Sequence, residues 1–370
     1  MNQLNQKNKH TLVYSVIVLI FLVGIFIGLN FSKFDLGNKT IDKIENNEIQ
    51  KINSDLNENV DVKNLLSDVM SPFSANSLST NELVQFALDG INKDRLEHDL
   101  SPVKLGANIA AQNHATDMFE YDYFSHWNSM GVKPYVTYSQ NGGRNYVQEN
   151  IAVSWCDGIG CNLDPTKQIE KLEYSMVYED EESNWGHRDA ILNPSATHVN
   201  IGLSYDNHNL YYVQHFETNL INWQEFSLSQ DGVLTLSGNL PNGYKINSIT
   251  IFEDPKTKSV STDDLKTKNP YIQRFYDQGK LVGVIVEKPP LLSFYEECAS
   301  GKIEVLSNEQ QNQCIAYETY DLDTDQQRLK LTTNISNWLN DDTLKTIYIN
   351  LSDNDDNIIP ASSVTLNFLS

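Results

Sequence analysis

The sequence predicts an α+β chain: a mixed helix-and-sheet unit followed by an antiparallel β-sandwich, both held outside the cell behind an N-terminal transmembrane helix. Three observations lead there. A charge-free apolar run extends from Leu12 to Leu29. Three amphipathic helical patterns between Ser79 and Asp180 then lead into a pair of alternating strands. From Phe226 onward only short alternating runs with turn dipeptides remain.

A chain of 370 residues exceeds one core of ordinary size, so two domains with connecting segments are expected. The net charge of −22 repels phosphate backbones, which argues against nucleic acid as a partner. At roughly 1.5 Å per residue, the run at 12–30 is long enough to cross a bilayer core. Lys7 and Lys9 precede it and no acid occurs before Asp35, so residues 1–11 read as a cytoplasmic stub and the rest as exported. No small-x-small cleavage site follows the run, which favours a retained signal anchor over a cleaved signal peptide. In an oxidising exterior the four cysteines read as two local disulfides, Cys156 with Cys161 and Cys298 with Cys314. The rival zinc reading lacks a paired C-x2-C set.

Residues 31–79 are polar, with Leu and Val scattered rather than periodic, and read as a stalk. The first folded unit, 80–223, opens at "STNELVQFALDGINKDR", where Ser79 and Glu82 have capping-box spacing. A second helical pattern follows in "GANIAAQNHATDMFEY", with His114 on the same side as Ala107, Ala110, Ala111, Ala115 and Met118. The third begins with Asp164 as N-cap and Pro165 in the first turn. "HVNIGLSY" and "LYYVQHFE" flank the turn-rich "DNHN" as an antiparallel hairpin. The second unit, 224–370, is a series of short strands punctuated by Asp231-Gly232 and Asn242-Gly243.

The chain lacks H-E-x-x-H, G-x-S-x-G, a phosphate-cradling G-x-x-x-x-G-K and a dinucleotide G-x-G-x-x-G, so the familiar hydrolase and nucleotide routes are disfavoured. What remains is dispersed: His126 in "YFSHWN", Glu149 in "VQENIA", the acids Glu179 to Glu182, and His187 in "NWGHRDAILNP". The order A-Q-x-x-A-x-x-M, S-H-W, E-N-I-A, G-H-R-x-x-I-L-N-P and then two strands resembles the CAP family (SCP-like, or CRISP/antigen 5/PR-1), in its bacterial and archaeal branch. The resemblance covers Thr80 to Trp223. It implies an α/β/α sandwich with a shallow groove lined by two histidines and two glutamates. Carried over by motif, these are His126, Glu149, His187 and, as the fourth member, Glu179. Met176 stands where the family has tryptophan, and helical spacing alone leaves Glu179 and Asp180 flanking the inward stripe of Ile169, Leu172 and Met176 equally.

Such a set has two chemical uses. Imidazole nitrogen suits Zn²⁺ and related ions, which makes His126 and His187 candidate metal ligands. Alternatively, a carboxylate fixes a histidine tautomer and makes it a polar anchor or proton shuttle. A divalent metal such as Zn²⁺ is the one cofactor this set suggests. His114 reads as a core histidine, His198 and His215 as structural, and His208 as a turn residue. Asp321, Asp323 and Asp325 read as a solvated acidic turn rather than a Ca²⁺ loop, and Ser352 to Asn357 as a hairpin tip. Asn38, Asn334 and Asn350 lie in glycosylation sequons.

Three functions follow, in this order: a module binding an extracellular ligand, lipid-like or of the envelope, with or without a divalent ion; a metal-assisted hydrolase; and an adhesion or envelope component whose tetrad only stabilises the fold. Binding without turnover ranks first because no nucleophile or oxyanion motif accompanies the tetrad.

Overall fold

Helix α1 (Thr80–Glu97) begins at the expected capping box and turns Leu83, Ala87, Leu88 and Ile91 inward. The structure, a computed structural model, describes residues 78–158, 160–256, 263, 276–289, 293–306, 312–320, 328–339 and 342–368. The expected span at 12–30, the stalk as far as Ser77, the Asn38 sequon and the Asp321, Asp323 and Asp325 turn lie outside these residues. Among the described residues no helix is long and apolar enough to cross a membrane.

After α1 come β1 (Lys104–Leu105), α2 (Ala110–Tyr121), α3 (Pro134–Gln140), β2 (Tyr146–Trp155), α4 (Pro165–Tyr178), α5 (Gly186–Ile191), β3 (His198–Tyr205) and β4 (Asn209–Thr218). The strands form one sheet in the order β1-β3-β4-β2. Asp164 caps α4 through the amides of Thr166 and Lys167, and β3 and β4 form the expected hairpin. Sequence reading passed over α3, α5 and β2. The two helices are too short for periodicity to register, and β2 is covered on both sides, so the run from Glu149 to Ala152 is buried without alternation.

One face of the sheet takes α1, α4 and α5, packing Ile91, Ile169, Val177 and Ile191 against Ile201, Leu203 and Tyr212. The other takes α2, through Ala111, Ala115 and Met118 against Ile151, Tyr211 and Val213. The result is three layers, helix on sheet on helix. Close approach of α2 depends on Gly202, where a Cβ would come within 2.1 Å of the Ala111 carbonyl oxygen. The buried Arg95 guanidinium ties α1 to the end of α5, donating to the carbonyls of Ser101 (2.9 Å), Ile191 (2.6 Å) and Asn193 (3.0 Å).

The C-terminal half is β-rich: β5 (Asn222–Leu228), β6 (Val233–Asn239), β7 (Lys245–Pro255), β8 (Lys280–Glu287), β9 (Glu297–Ala299), β10 (Lys302–Leu306), β11 (Asn312–Tyr320), β12 (Arg328–Asn334), β13 (Thr343–Ser352) and β14 (Ile358–Thr365). A seven-stranded sheet, β14-β13-β7-β8-β11-β10-β9, faces a three-stranded one, β12-β6-β5. Phe226, Leu234, Leu236, Leu329 and Leu331 of the small sheet pack on Ile249, Ile251, Ile285, Ile347 and Ile349 of the large one. The expectation of a purely antiparallel arrangement needs correction, because β8 and β11 pair in parallel. The chain leaves β8, builds the β9 and β10 edge, and returns beside β8 in the same direction. Both disulfides pair as expected, Cys156 with Cys161 and Cys298 with Cys314. Asp353 closes the expected hairpin tip by accepting from the amides of Asp355 and Asn357, both at 2.9 Å.

Residues 78–370 form one compact unit, and the two halves meet along the open edge of β2. The Ser363 amide donates to the Asn145 carbonyl at 3.3 Å, the Val147 amide to Ser363 Oγ at 3.3 Å, and the Thr365 amide to Ser139 Oγ at 2.9 Å. An otherwise exposed strand edge is thereby covered by β14.

One buried acid under the sheet makes a testable pH signature. Glu173 of α4 is 4% exposed. It accepts from Tyr212 OH (3.1 Å) and Gln214 Nε2 (2.6 Å), while its other oxygen has no partner among the described residues. Burial pushes its pKa up to about 8. The unfolded chain releases this proton near pH 4.5 and the folded one near pH 8, so the contribution of Glu173 to stability falls as pH rises through that window. Glu173→Gln keeps the acceptor and removes the charge. Urea denaturation should find the variant more stable than wild type by on the order of 2–4 kcal/mol at pH 8 and nearly equal to it at pH 5; a pH-independent difference contradicts this.

Candidate functional site

Strand register does most of the positioning. The β2–β4 pairing sets Glu149 opposite His215 and Asn150 opposite Gln214. Adjacent strand residues face opposite sides of a sheet, so the consecutive pair Glu149-Asn150 serves both layers. Toward α2, the buried Glu149 carboxylate accepts from three imidazoles: His114 Nδ1 (2.7 Å) and His215 Nε2 (2.7 Å) at Oε2, and His126 Nδ1 (2.8 Å) at Oε1. Toward α4 and α5, Asn150 Nδ2 donates to the His187 carbonyl (3.0 Å) and to Gln214 Oε1 (3.1 Å).

His187 has an acid of its own. Its Nδ1 donates to Asp180 Oδ1 at 2.7 Å, while Asp180 Oδ2 accepts from the amides of His187 (2.8 Å) and Arg188 (3.1 Å). The loop between them curls over the carboxylate by placing Asn184 (φ 53°) and Trp185 (φ 64°) in the left-handed region. For a residue as bulky as tryptophan this is strained backbone, held by the surrounding contacts.

Burial would raise the Glu149 pKa, but the His114 charge and the hydrogen bonds from His114, His126 and His215 outweigh it and hold the group well below the usual carboxylate range. For His114, burial opposes protonation and the Glu149 carboxylate overrides it, so the pKa is raised. His126 goes the other way. Burial dominates over Glu149, the charges of His187 and His114 add to it, and the pKa is lowered. At neutral pH His126 is therefore a neutral imidazole that gives its Nδ1 proton to Glu149 and keeps a lone pair at Nε2. His126 and His187 are both tied to β2, the first through the Glu149 carboxylate and the second through the Asn150 side chain.

Of the residues expected from sequence, His126 bonds Glu149, and His187 is tied by its carbonyl to the adjacent Asn150. Glu179 is exposed at the C-cap of α4, and the acid bonded to His187 is its neighbour Asp180, which is 4% exposed. The helix ends at Tyr178, so a stripe extrapolated by helical period no longer applies at 179 and 180. His114 and His215, read as core and structural, are two of the three donors to Glu149. The signal that could have found His215 is its alternation within β4, which becomes useful only when β2 is recognised as its partner strand. His198 and His208 make local contacts, with Thr197 Oγ1 (3.0 Å) and the Cys156 carbonyl (3.4 Å).

The donor set also bears on metal. Among the described residues, the one group of three or more donors close enough for a single ion is Cys156, Cys161 and His208, whose cysteines form a disulfide. In the histidine site both acids already accept imidazole N–H groups, which leaves one ring nitrogen on each of His114, His126, His187 and His215, with His114 Nε2 and His215 Nδ1 fully buried. Two carboxylate-oriented imidazoles fall short of the four protein ligands of a closed structural zinc. A polar cleft of about 780 Å³ elsewhere, bordered by Asn108, Arg144, Glu217 and Trp223, includes none of these four groups in its wall.

Two substitutions test the arrangement. Glu149→Gln leaves a buried imidazolium without its counter-charge and should cost about 3–5 kcal/mol in urea denaturation at pH 7. Loss below about 1 kcal/mol contradicts the three-imidazole anchor. Asp180→Asn should cost about 1–3 kcal/mol and broaden the His187 ring resonances, whereas Glu179→Gln should stay within about 0.5 kcal/mol of wild type. The reverse ranking would make Glu179 the groove acid.

The family model for CAP, the Cysteine-rich secretory protein family, matches residues 88–216. Among solved structures, the chain is similar to an extracellular protein containing a SCP domain from Bacillus anthracis str. Ames, at 24% identity over 39% of this chain and 45% of that one, with a TM-score of 0.29. It is also similar to an outer surface protein from Borrelia burgdorferi, at 14% identity over 40% of this chain and 100% of that one, with a TM-score of 0.30. A third is the CAP domain of Enterococcal PrgA, at 17% identity over 38% of this chain and 63% of that one, with a TM-score of 0.27. The match spans less than half the length of the Bacillus protein. No curated protein matches the chain.

Proposed function

Residues 88–216 are a CAP domain, and from that premise we propose that the protein is an exported, membrane-anchored binding module whose His126 and His187 hold the polar end of a lipid-like guest. Two disulfides suit an oxidising exterior, and the apolar run at 12–30 is the proposed anchor.

One observation carries the reading. Each groove imidazole has its Nδ1 engaged by a buried carboxylate, so Nε2 is the atom left for a guest. Hydrolysis asks for more, because a general base must be free to take a proton from water. Glu149 already accepts from three imidazoles, and Asp180 from one imidazole and two amides. Carboxylate-oriented histidines are also how proteins prepare metal ligands, which keeps a divalent ion as an optional companion of the guest and metal-assisted hydrolysis as the second reading.

The test uses full-length protein, a thermal-shift panel of amphipathic lipids, Zn²⁺ calorimetry, and the variants His126→Ala and His187→Ala. Binding predicts a lipid that raises the wild-type melting temperature, by an amount equivalent to about 2.7 kcal/mol at a hundredfold excess over Kd, with the shift lost in both variants. Peptide or ester turnover that needs Zn²⁺ and both histidines would replace this reading with the hydrolase. Neither a lipid shift nor Zn²⁺ uptake would leave the tetrad a purely structural role.

A further inference from the structure

The groove is not built by the CAP domain alone. Tyr276, which lies between β7 and β8 of the C-terminal half, reaches the centre of the site. Its hydroxyl accepts the Glu149 backbone N–H at 2.9 Å, and its ring meets the His126 ring edge-on, with centroids 5.3 Å apart at 63°. We propose that Tyr276 is a positioning residue of the histidine groove, and that the C-terminal β-rich half completes the binding site by delivering it. The proposal rests on the reading that this groove receives a guest.

First, Glu149 lies on β2, the edge strand of its sheet, so its outward N–H has no neighbouring strand to donate to. A buried amide without an acceptor is costly, and the Tyr276 hydroxyl removes that cost at the residue whose carboxylate orients three imidazoles.

Second, the tyrosine is pinned. The next residue, Asp277, pairs with Lys133 Nζ, which also donates to the Asp277 carbonyl (3.0 Å) and to Asp254 Oδ1 (2.7 Å) on β7. Tyr135 OH bonds the other oxygen of Asp254, and the Tyr135 ring lies 6.1 Å from that of Tyr276. Lys133 is on the same loop as His126, so the ring contact and the ion pair bracket that loop against one segment of the C-terminal half. Third, the Tyr276 ring packs edge-on against the His126 ring and helps bury it.

Backbone NMR on the full-length protein tests this without a guest. Tyr276→Phe removes only the hydroxyl and should accelerate Glu149 amide exchange ~10-fold while leaving the His126 ring resonances in place. Tyr276→Ala should produce the same acceleration and also shift the His126 ring resonances, a loss that phenylalanine rescues. Tyr135→Phe, which removes a hydroxyl at the same interface, should keep Glu149 exchange within ~2-fold of wild type. Unchanged Glu149 exchange in Tyr276→Phe overturns the proposal, and that variant decides the matter even if Tyr276→Ala fails to fold. Failure of wild type to bind any guest would sink the functional reading instead, since neither readout here depends on one.

Discussion

A single buried carboxylate organises this protein. Glu149 accepts from His114, His126 and His215, which reach it from helix α2, from the loop after it and from strand β4. A charge so deeply buried is tolerable only when its lone pairs are filled, and here imidazoles fill them. The arrangement also divides the labour among the rings. His114 is held toward its charged form by the carboxylate, and His126 is held neutral by burial, although both bond the same group.

Around that anchor, the fold repeats one device: polar side chains satisfy backbone that the sheets leave open. Asn150 takes the His187 carbonyl, Asp180 takes the first amides of α5, and Tyr276 with Ser363 takes the free edge of β2. Together these contacts tie the His126 ring and the His187 backbone to consecutive residues of β2. They also make the CAP domain and the β-rich half parts of a single unit.

The sequence made some of this legible and hid the rest for identifiable reasons. Capping signals at Ser79 and Asp164, the alternation of β3 and β4 and the cysteine spacing are local, and they read correctly because their physics is local. The ordered motifs brought His126, Glu149 and His187 into one hypothesis. Periodicity left Glu179 and Asp180 as equal candidates for the acid beside His187, because the choice depends on where α4 ends and on left-handed backbone at Asn184 and Trp185, neither of which periodicity encodes. His215 and Tyr276 escaped for a different reason: each matters through pairing with a residue far along the chain. The parallel β8–β11 pair is likewise a property of topology, not of either strand.

The central claim is that carboxylates set the tautomers of the groove histidines. Long-range ¹H–¹⁵N correlation of histidine-labelled, full-length protein at pH 7 tests it most directly. The account predicts the proton of His126 on Nδ1 with a bare Nε2, together with an Nδ1 proton on His187 and an Nε2 proton on His215. A His126 ring protonated at Nε2 with a bare Nδ1 would contradict it, because Glu149 would then orient nothing in the groove.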